Sequence, residues 1–335
     1  MSSDKSTTGV VDRVRRLLGR VPRKVWSTIF LLVILIFLGL YLKSIDFHRL
    51  SRLHFQWSWL VLGSLIAVLY RFMAVFIWRV ILRSLGTETL PPFAVMSDVF
   101  AKAWMARYIP GTVTWVAGRI YLASAYGISK SRLTVSSLLE GGMQIVAGVV
   151  IAMPLIGFSH QAHRLSADIK ILAIVISAGC LIALMPPVFN RLLHLAHLII
   201  KRQKPGHELR VNGRAVFRSF LLFVVASFIT GAANYFAARS IDPFLHYHIF
   251  FYLVGAFSLA GAIGIATPFL PSGIGVRDGV LLVLLGLVIP KESALAITVF
   301  SRFWSVAVDA IFFVAATTWH RLHTHSAAGP DRANA

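Results

Sequence analysis

Long apolar runs separated by short basic segments dominate the chain. A helix that crosses hydrocarbon needs about 20 largely apolar residues. Eight stretches approach that length: 25–42, 57–78, 133–157, 170–188, 217–238, 249–269, 277–290 and 293–318. The seventh is short, and it spans only by tilting or by extending back into the Gly-rich residues before it. Gly and Pro inside such stretches are compatible with helices in lipid, where neighbours satisfy the freed backbone groups. The pattern predicts an all-α integral membrane fold of about eight transmembrane helices with one or two broken or re-entrant Pro/Gly segments. It divides the chain into a basic, partly amphipathic segment 1–24, a single polytopic membrane domain 25–319 and a short tail 320–335.

Two places break this pattern. In 91–132, two short apolar pieces flank Pro110-Gly111, and neither spans comfortably alone. In 269–280, FLPSGIGVRDGV, the residues Pro271, Gly273, Gly275, Arg277 and Asp278 interrupt hydrocarbon-like sequence. Non-helical backbone survives at membrane depth only where protein or a water-filled cavity covers it. The two segments echo one another, with Ile109-Pro110-Gly111 before Gly118-Arg119 and Leu270-Pro271 before Gly275 and Arg277. Duplicated broken segments point to a transporter's binding site.

Composition supports the membrane reading: 57% of residues are hydrophobic and only 14% charged. The formal net charge of +20 follows topology rather than a nucleic-acid face. With the N-terminus in the cytoplasm, 24 Lys/Arg fall on the cytoplasmic side, 7 on the opposite side, and Arg71 and Arg302 inside spans. The positive-inside rule then places both termini in the cytoplasm. Residues 10–21 carry valines and leucines on one helical stripe and arginines on the other face, which fits an interfacial helix on an anionic leaflet or a topology-setting tail. The run 25–42 is too long for a signal peptide's apolar region, and no A-x-A-like site follows it. Cys180, the single cysteine, lies in an apolar run and reads as a packing residue.

Ionisable residues inside spans are costly and by default functional. Arg71, Glu140, Arg302 and Asp309 are of this kind. Arg302 and Asp309 are seven apart, two turns on one face of the last helix. That is too far for a snug pair, so each bounds a polar cavity or pairs with another helix. Glu140 needs a proton or a cation, with Arg71 and Arg302 as the buried candidates. Asp98 and Lys102 have the spacing of a helix ion pair. Lys102, Arg107 and Arg119 surround Pro110-Gly111, and with Arg277 they form a basic cluster on the cytoplasmic side. Arginine matches phosphate through its fork, and helix N-termini add backbone donors. The expected guest is therefore a phosphate-bearing, anionic membrane lipid.

Several chemistries are missing from the sequence. It holds no P-loop, no H-E-x-x-H, no D-x-D and no G-x-S-x-G. No catalytic residue, metal site or cofactor is expected, and His320, His323 and His325 in the tail are not read as a metal site.

PSGIGVRDGVLLVLLG resembles the Pro-x-Gly-x-Gly-x-Arg-acid signature of the flippase-like lysylphosphatidylglycerol synthase transmembrane-region family. RYIPGTVTWVAGRIYLASAYGIS, followed by Glu140, is similar to that family's Pro-Gly, Gly-Arg and embedded-Glu motif, and Arg302 falls where the family tends to keep an arginine. Ser272 and Asp278 depart from its commoner Gly and Glu. The resemblance runs from about Trp26 to Trp319 and implies an eight-span membrane domain that moves or handles lipids. Fused members carry an aminoacyltransferase domain; this chain ends soon after its last span, so aminoacyl transfer is not carried over. The expected protein is a motor-less translocase of the bacterial inner membrane. The alternative is an accessory enzyme or scaffold in polyprenyl-phosphate sugar, glycolipid or hopanoid metabolism, partnered by a lipid synthase or glycosyltransferase.

Overall fold

The computed structural model describes residues 55–108, 114–159, 167–183, 185, 188, 191, 213–243, 245–267, 273 and 275–327. The amphipathic reading of 10–21, the first apolar run 25–42, and Pro110, Gly111 and Pro271 lie outside the described residues. Those described belong to a compact unit, Leu50–Ala335.

Among the described residues the elements are helices, with no strand. They are α1 (Trp57–Ser84), α2 (Phe93–Met105), α3 (Thr114–Ser124), α4 (Lys130–Gly157), α5 (Ala167–Ala183), α6 (Gly213–Ile241), α7 (Phe250–Ala266), α8 (Val276–Gly286) and α9 (Lys291–Ala327). Two single 3-10 turns, Ala106–Tyr108 and Tyr247–Ile249, extend α2 and precede α7.

Five helices are long and apolar enough to cross a membrane: α1, α4, α6, α7 with its leading turn, and α9. They coincide with five of the eight predicted stretches. The stretch 170–188 yields α5, of 17 residues. The stretch 277–290 yields α8, of 11 residues, which rises about 16 Å at 1.5 Å per residue. That is half of a hydrocarbon core about 30 Å thick. The last helix runs on to Ala327, so His320 and His323 ride on α9 rather than on a separate tail.

Small residues set how closely the long helices approach. A Cβ at Gly63 of α1 would stand 2.9 Å from the Ala233 carbonyl oxygen of α6. A Cβ at Gly231 of α6 would stand 2.6 Å from a Val254 methyl of α7. Without water between helices, association in lipid depends on such close packing, which is why it favours Gly and Ala. Trp304 of α9 donates to the Ser64 hydroxyl of α1 at 2.9 Å and seats between Ala67, Ala233 and Val308.

Two half-depth elements stand beside the predicted breaks: α2 with α3, and α8. Helices α2 and α3 form an antiparallel hairpin. Gly118 of α3 lies against Ala103 of α2, and Tyr121, Leu122 and Tyr126 share a cavity of about 360 Å³ with Asp98 and Lys102. The open end of α2 sits beside the ends of two spans: Arg79 of α1 donates to the Pro91 carbonyl at 2.9 Å, and Phe93 meets Trp319 of α9. About 20 Å along, at Tyr108, the hairpin reaches Asp309, which is 18 residues into the 37-residue α9. Residues 91–108 therefore run from the ends of α1 and α9 to the middle of α9, and α3 packs back along α2. Helix α8 likewise folds back along α7: Arg277 lies against Gly264, and the Tyr252 hydroxyl donates to the Leu284 carbonyl at 2.8 Å. Just before α8 stand Gly273 and Gly275, at φ +65° and +86°. A Cβ at Gly273 would also stand 2.8 Å from the Gly264 Cα. Only glycine combines that backbone with that approach.

Candidate functional site

The charges inside the bundle sort into two groups. The first is Arg119 with Glu140. The Arg119 side chain is fully buried, and its Nη1 donates to Glu140 Oε2. Its guanidinium lies over Trp78, Phe100 and Trp115, with ring centroids 4.9, 4.3 and 5.0 Å away. Such contacts partly replace the water that the cation has lost. Glu140 is thus partnered by Arg119, and neither of its expected cations, Arg71 or Arg302, holds it. Arg119 is correspondingly placed in an aromatic cage that fastens α3 to α1, α2 and α4, rather than in a basic cluster with Lys102. Lys102 lies elsewhere again: its ammonium donates to Asp98 at 2.7 Å, the expected helix pair.

The second group gathers where the two half-depth elements meet. Arg71, in mid-α1, donates through Nε to Asp309 Oδ1 at 2.7 Å, with Nη2 at 2.6 Å from the same oxygen. The Tyr108 hydroxyl donates to Asp309 Oδ2 at 2.6 Å, and Arg107 Nη1 stands 3.7 Å from that oxygen. Trp104 lies under both cations, with its ring 5.1 Å from Arg71 and 4.6 Å from Arg107. Its buried indole N–H makes no hydrogen bond. Two turns along α9, Arg302 Nη2 stands 3.6 Å from Asp278 Oδ2, and Arg277 Nη1 stands 3.9 Å from Asp278 Oδ1. Asp278 Oδ2 also accepts from the Gly275 N–H at 3.3 Å, at the start of α8.

These contacts belong to one polar cluster. Arg107 is within electrostatic reach of Arg71 and Arg302, and Arg277 is within reach of Arg302 and Arg107. The cluster draws Arg71 from α1, Arg107 from the hairpin tip, Arg277 from α8 and Arg302 from α9. Against four arginines it sets two carboxylates, Asp278 and Asp309, for a formal balance of +2 among the described residues. Charges at this depth are tolerated only when paired or facing a polar path. An excess of cations gives the cluster an attraction for an anion. Among the described residues no cluster of His, Cys or acidic side chains could hold a metal ion.

Of the predicted site residues, the structure brings together Arg71, Arg107, Arg277, Asp278, Arg302 and Asp309, with Gly273 and Gly275 just before α8. It sets Lys102, Arg119 and Glu140 apart from them. Tyr108 and Trp104 escaped the sequence reading. Their signal was position: Tyr108 adjoins Arg107 before the Pro-Gly break, and Trp104 lies one turn before Arg107, where a ring reaches a guanidinium.

The helices and embedded charges define an integral membrane protein with a polar, cationic centre. The sequence matches the model of the lysylphosphatidylglycerol synthase TM region family over residues 25–312. The chain belongs to that family, and so to membrane proteins of lipid metabolism or transport. No curated protein matches the sequence.

Proposed function

We propose that the protein is a motor-less translocase for lipids whose head group carries an anionic phosphate. The observation that supports this most is the +2 cluster formed where two half-depth elements meet the middle of α1 and α9. Arginines offer paired donors to phosphate oxygens, and the N-terminus of α8 adds a backbone donor. Broken elements meeting at mid-depth are the architecture on which alternating access operates. In this reading the phosphate enters among Arg107, Arg277 and Arg302, and rocking of the hairpin or of α8 exposes it to the other leaflet. The Lys/Arg distribution supports N- and C-termini in the cytoplasm, and in this reading the protein resides in a bacterial inner membrane.

A scaffold for a lipid synthase or glycosyltransferase is the second reading, and the direct pairs Arg119–Glu140 and Arg71–Asp309 favour it, since paired charges also orient helices. It predicts that neutralising each pair together leaves the associated pathway intact. Native mass spectrometry of the protein purified from a membrane of mixed lipids separates the two. The translocase reading expects retained anionic phospholipid, lost in Arg277→Ala and Arg302→Ala. Retention of zwitterionic and anionic lipids alike, unchanged by those substitutions, overturns it.

A further inference from the structure

The two carboxylates of the cluster are held in different ways. Asp309 is wholly buried, and its oxygens lie 2.6–2.7 Å from Tyr108 and Arg71. Those are the distances of charge-assisted hydrogen bonds at full strength, about 2.5–2.9 Å. Asp278 is 24% exposed, and its neighbours stand at 3.3 Å (Gly275 N–H), 3.6 Å (Arg302) and 3.9 Å (Arg277). Its Oδ1 makes no hydrogen bond. Yet its three neighbours are the donors that a phosphate would use: a helix-start N–H and two arginines.

We propose that Asp278 is an internal stand-in for the ligand's phosphate. It occupies the receptor when no lipid is bound and is displaced towards its exposed side when a lipid phosphate arrives. This rests on the reading of the cluster as a head-group site and adds how that site is regulated. A phosphodiester offers two anionic oxygens to the same donors and, being untethered, can sit at full hydrogen-bond distance where the aspartate stands at 3.3–3.9 Å, so it displaces the loosely held side chain. The returning aspartate in turn helps to expel the lipid. Asp309 has no such role, because releasing it would unseat Arg71 and the hairpin tip together.

The test is a calorimetric titration of the full chain in detergent with dihexanoyl phosphatidylglycerol. Dihexanoyl phosphatidylcholine and inorganic phosphate are titrated alongside. Asp278→Asn keeps the side chain's shape and a carbonyl for the Gly275 N–H, so α8 keeps its cap. It is expected to bind phosphatidylglycerol about fivefold more tightly, the effect of removing one like charge some 4 Å from the ligand in a water-reached site. Asp309→Asn is expected to bind it more weakly than wild type. Equal or weaker binding by Asp278→Asn, with wild type still binding, overturns the stand-in and leaves the head-group site standing. An equal gain in Asp309→Asn overturns the distinction between the two carboxylates. A gain for inorganic phosphate alone overturns the lipid assignment. No binding by wild type overturns the site, and the stand-in with it.

Discussion

Glu140→Gln isolates what the buried Arg119–Glu140 pair contributes. The substitution is nearly isosteric and leaves one carbonyl for Arg119, so packing is preserved while one charge is lost. Arg119 remains fully buried between Trp78, Phe100 and Trp115, and those rings act on it equally before and after the change. What is lost is the carboxylate's share. Removing one partner of a buried ion pair costs about 3–5 kcal/mol, and the remaining carbonyl puts this case at the lower end. Converted at about 2–4 °C per kcal/mol, the melting temperature falls by roughly 6–12 °C. The assay is thermal unfolding in detergent, followed by the fraction that stays monodisperse after heating. The double variant Arg119→Gln/Glu140→Gln leaves no orphan charge and is expected to recover most of the loss, with a coupling of about 2–3 kcal/mol in the double-mutant cycle. A shift below 2 °C in the single variant, or strict additivity in the double, would show that the two side chains do not depend on each other. Lipid movement should survive the double variant, because the pair fastens the hairpin and lies outside the arginine cluster.

Three further outcomes are expected. Gly273→Ala places a methyl group at φ +65° and 2.8 Å from the Gly264 Cα; left-handed backbone costs about 1–2 kcal/mol and overpacking about 1–3 kcal/mol, so a lower melting temperature and a misplaced α8 should follow, read by unfolding and by weakened phosphatidylglycerol binding. Tyr108→Phe removes the donor to Asp309 and should cost about 1–3 kcal/mol in the same melt. Lys102→Met leaves the arginine cluster untouched and should reduce anionic-lipid binding far less than Arg277→Ala does, measured side by side by calorimetry.

The long helices were legible because hydrocarbon imposes a composition on any segment that crosses it. The runs at 57–78, 133–157, 217–238 and 293–318 need only be counted. The half-depth elements were legible as breaks, since Pro110-Gly111 and Gly273 to Gly275 interrupt apolar sequence. The pairings were less so. Arg71 and Asp309 are 238 residues apart, and the register of α1 against α9 is set by packing such as Ser64 against Trp304, which no local pattern encodes. For the same reason the pattern offers Glu140 the wrong cations, Arg71 and Arg302: Arg119 reads as part of a basic cluster around Pro110-Gly111, while three aromatic rings from α1, α2 and α3 make its site interior. The contrast between Asp278 and Asp309 was also hidden, because it lies in distances rather than in residue type.

The measurement that bears most directly on the central claim is transbilayer movement of a head-group-labelled anionic phospholipid in proteoliposomes, read as loss of protection from a membrane-impermeant quencher. Wild-type protein is expected to expose the inner-leaflet label faster than protein-free vesicles, and Arg277→Ala and Arg302→Ala are expected to fall to the protein-free rate. Movement of every anionic lipid at the protein-free rate by folded wild-type protein would contradict the account, as would undiminished movement when both arginines are replaced.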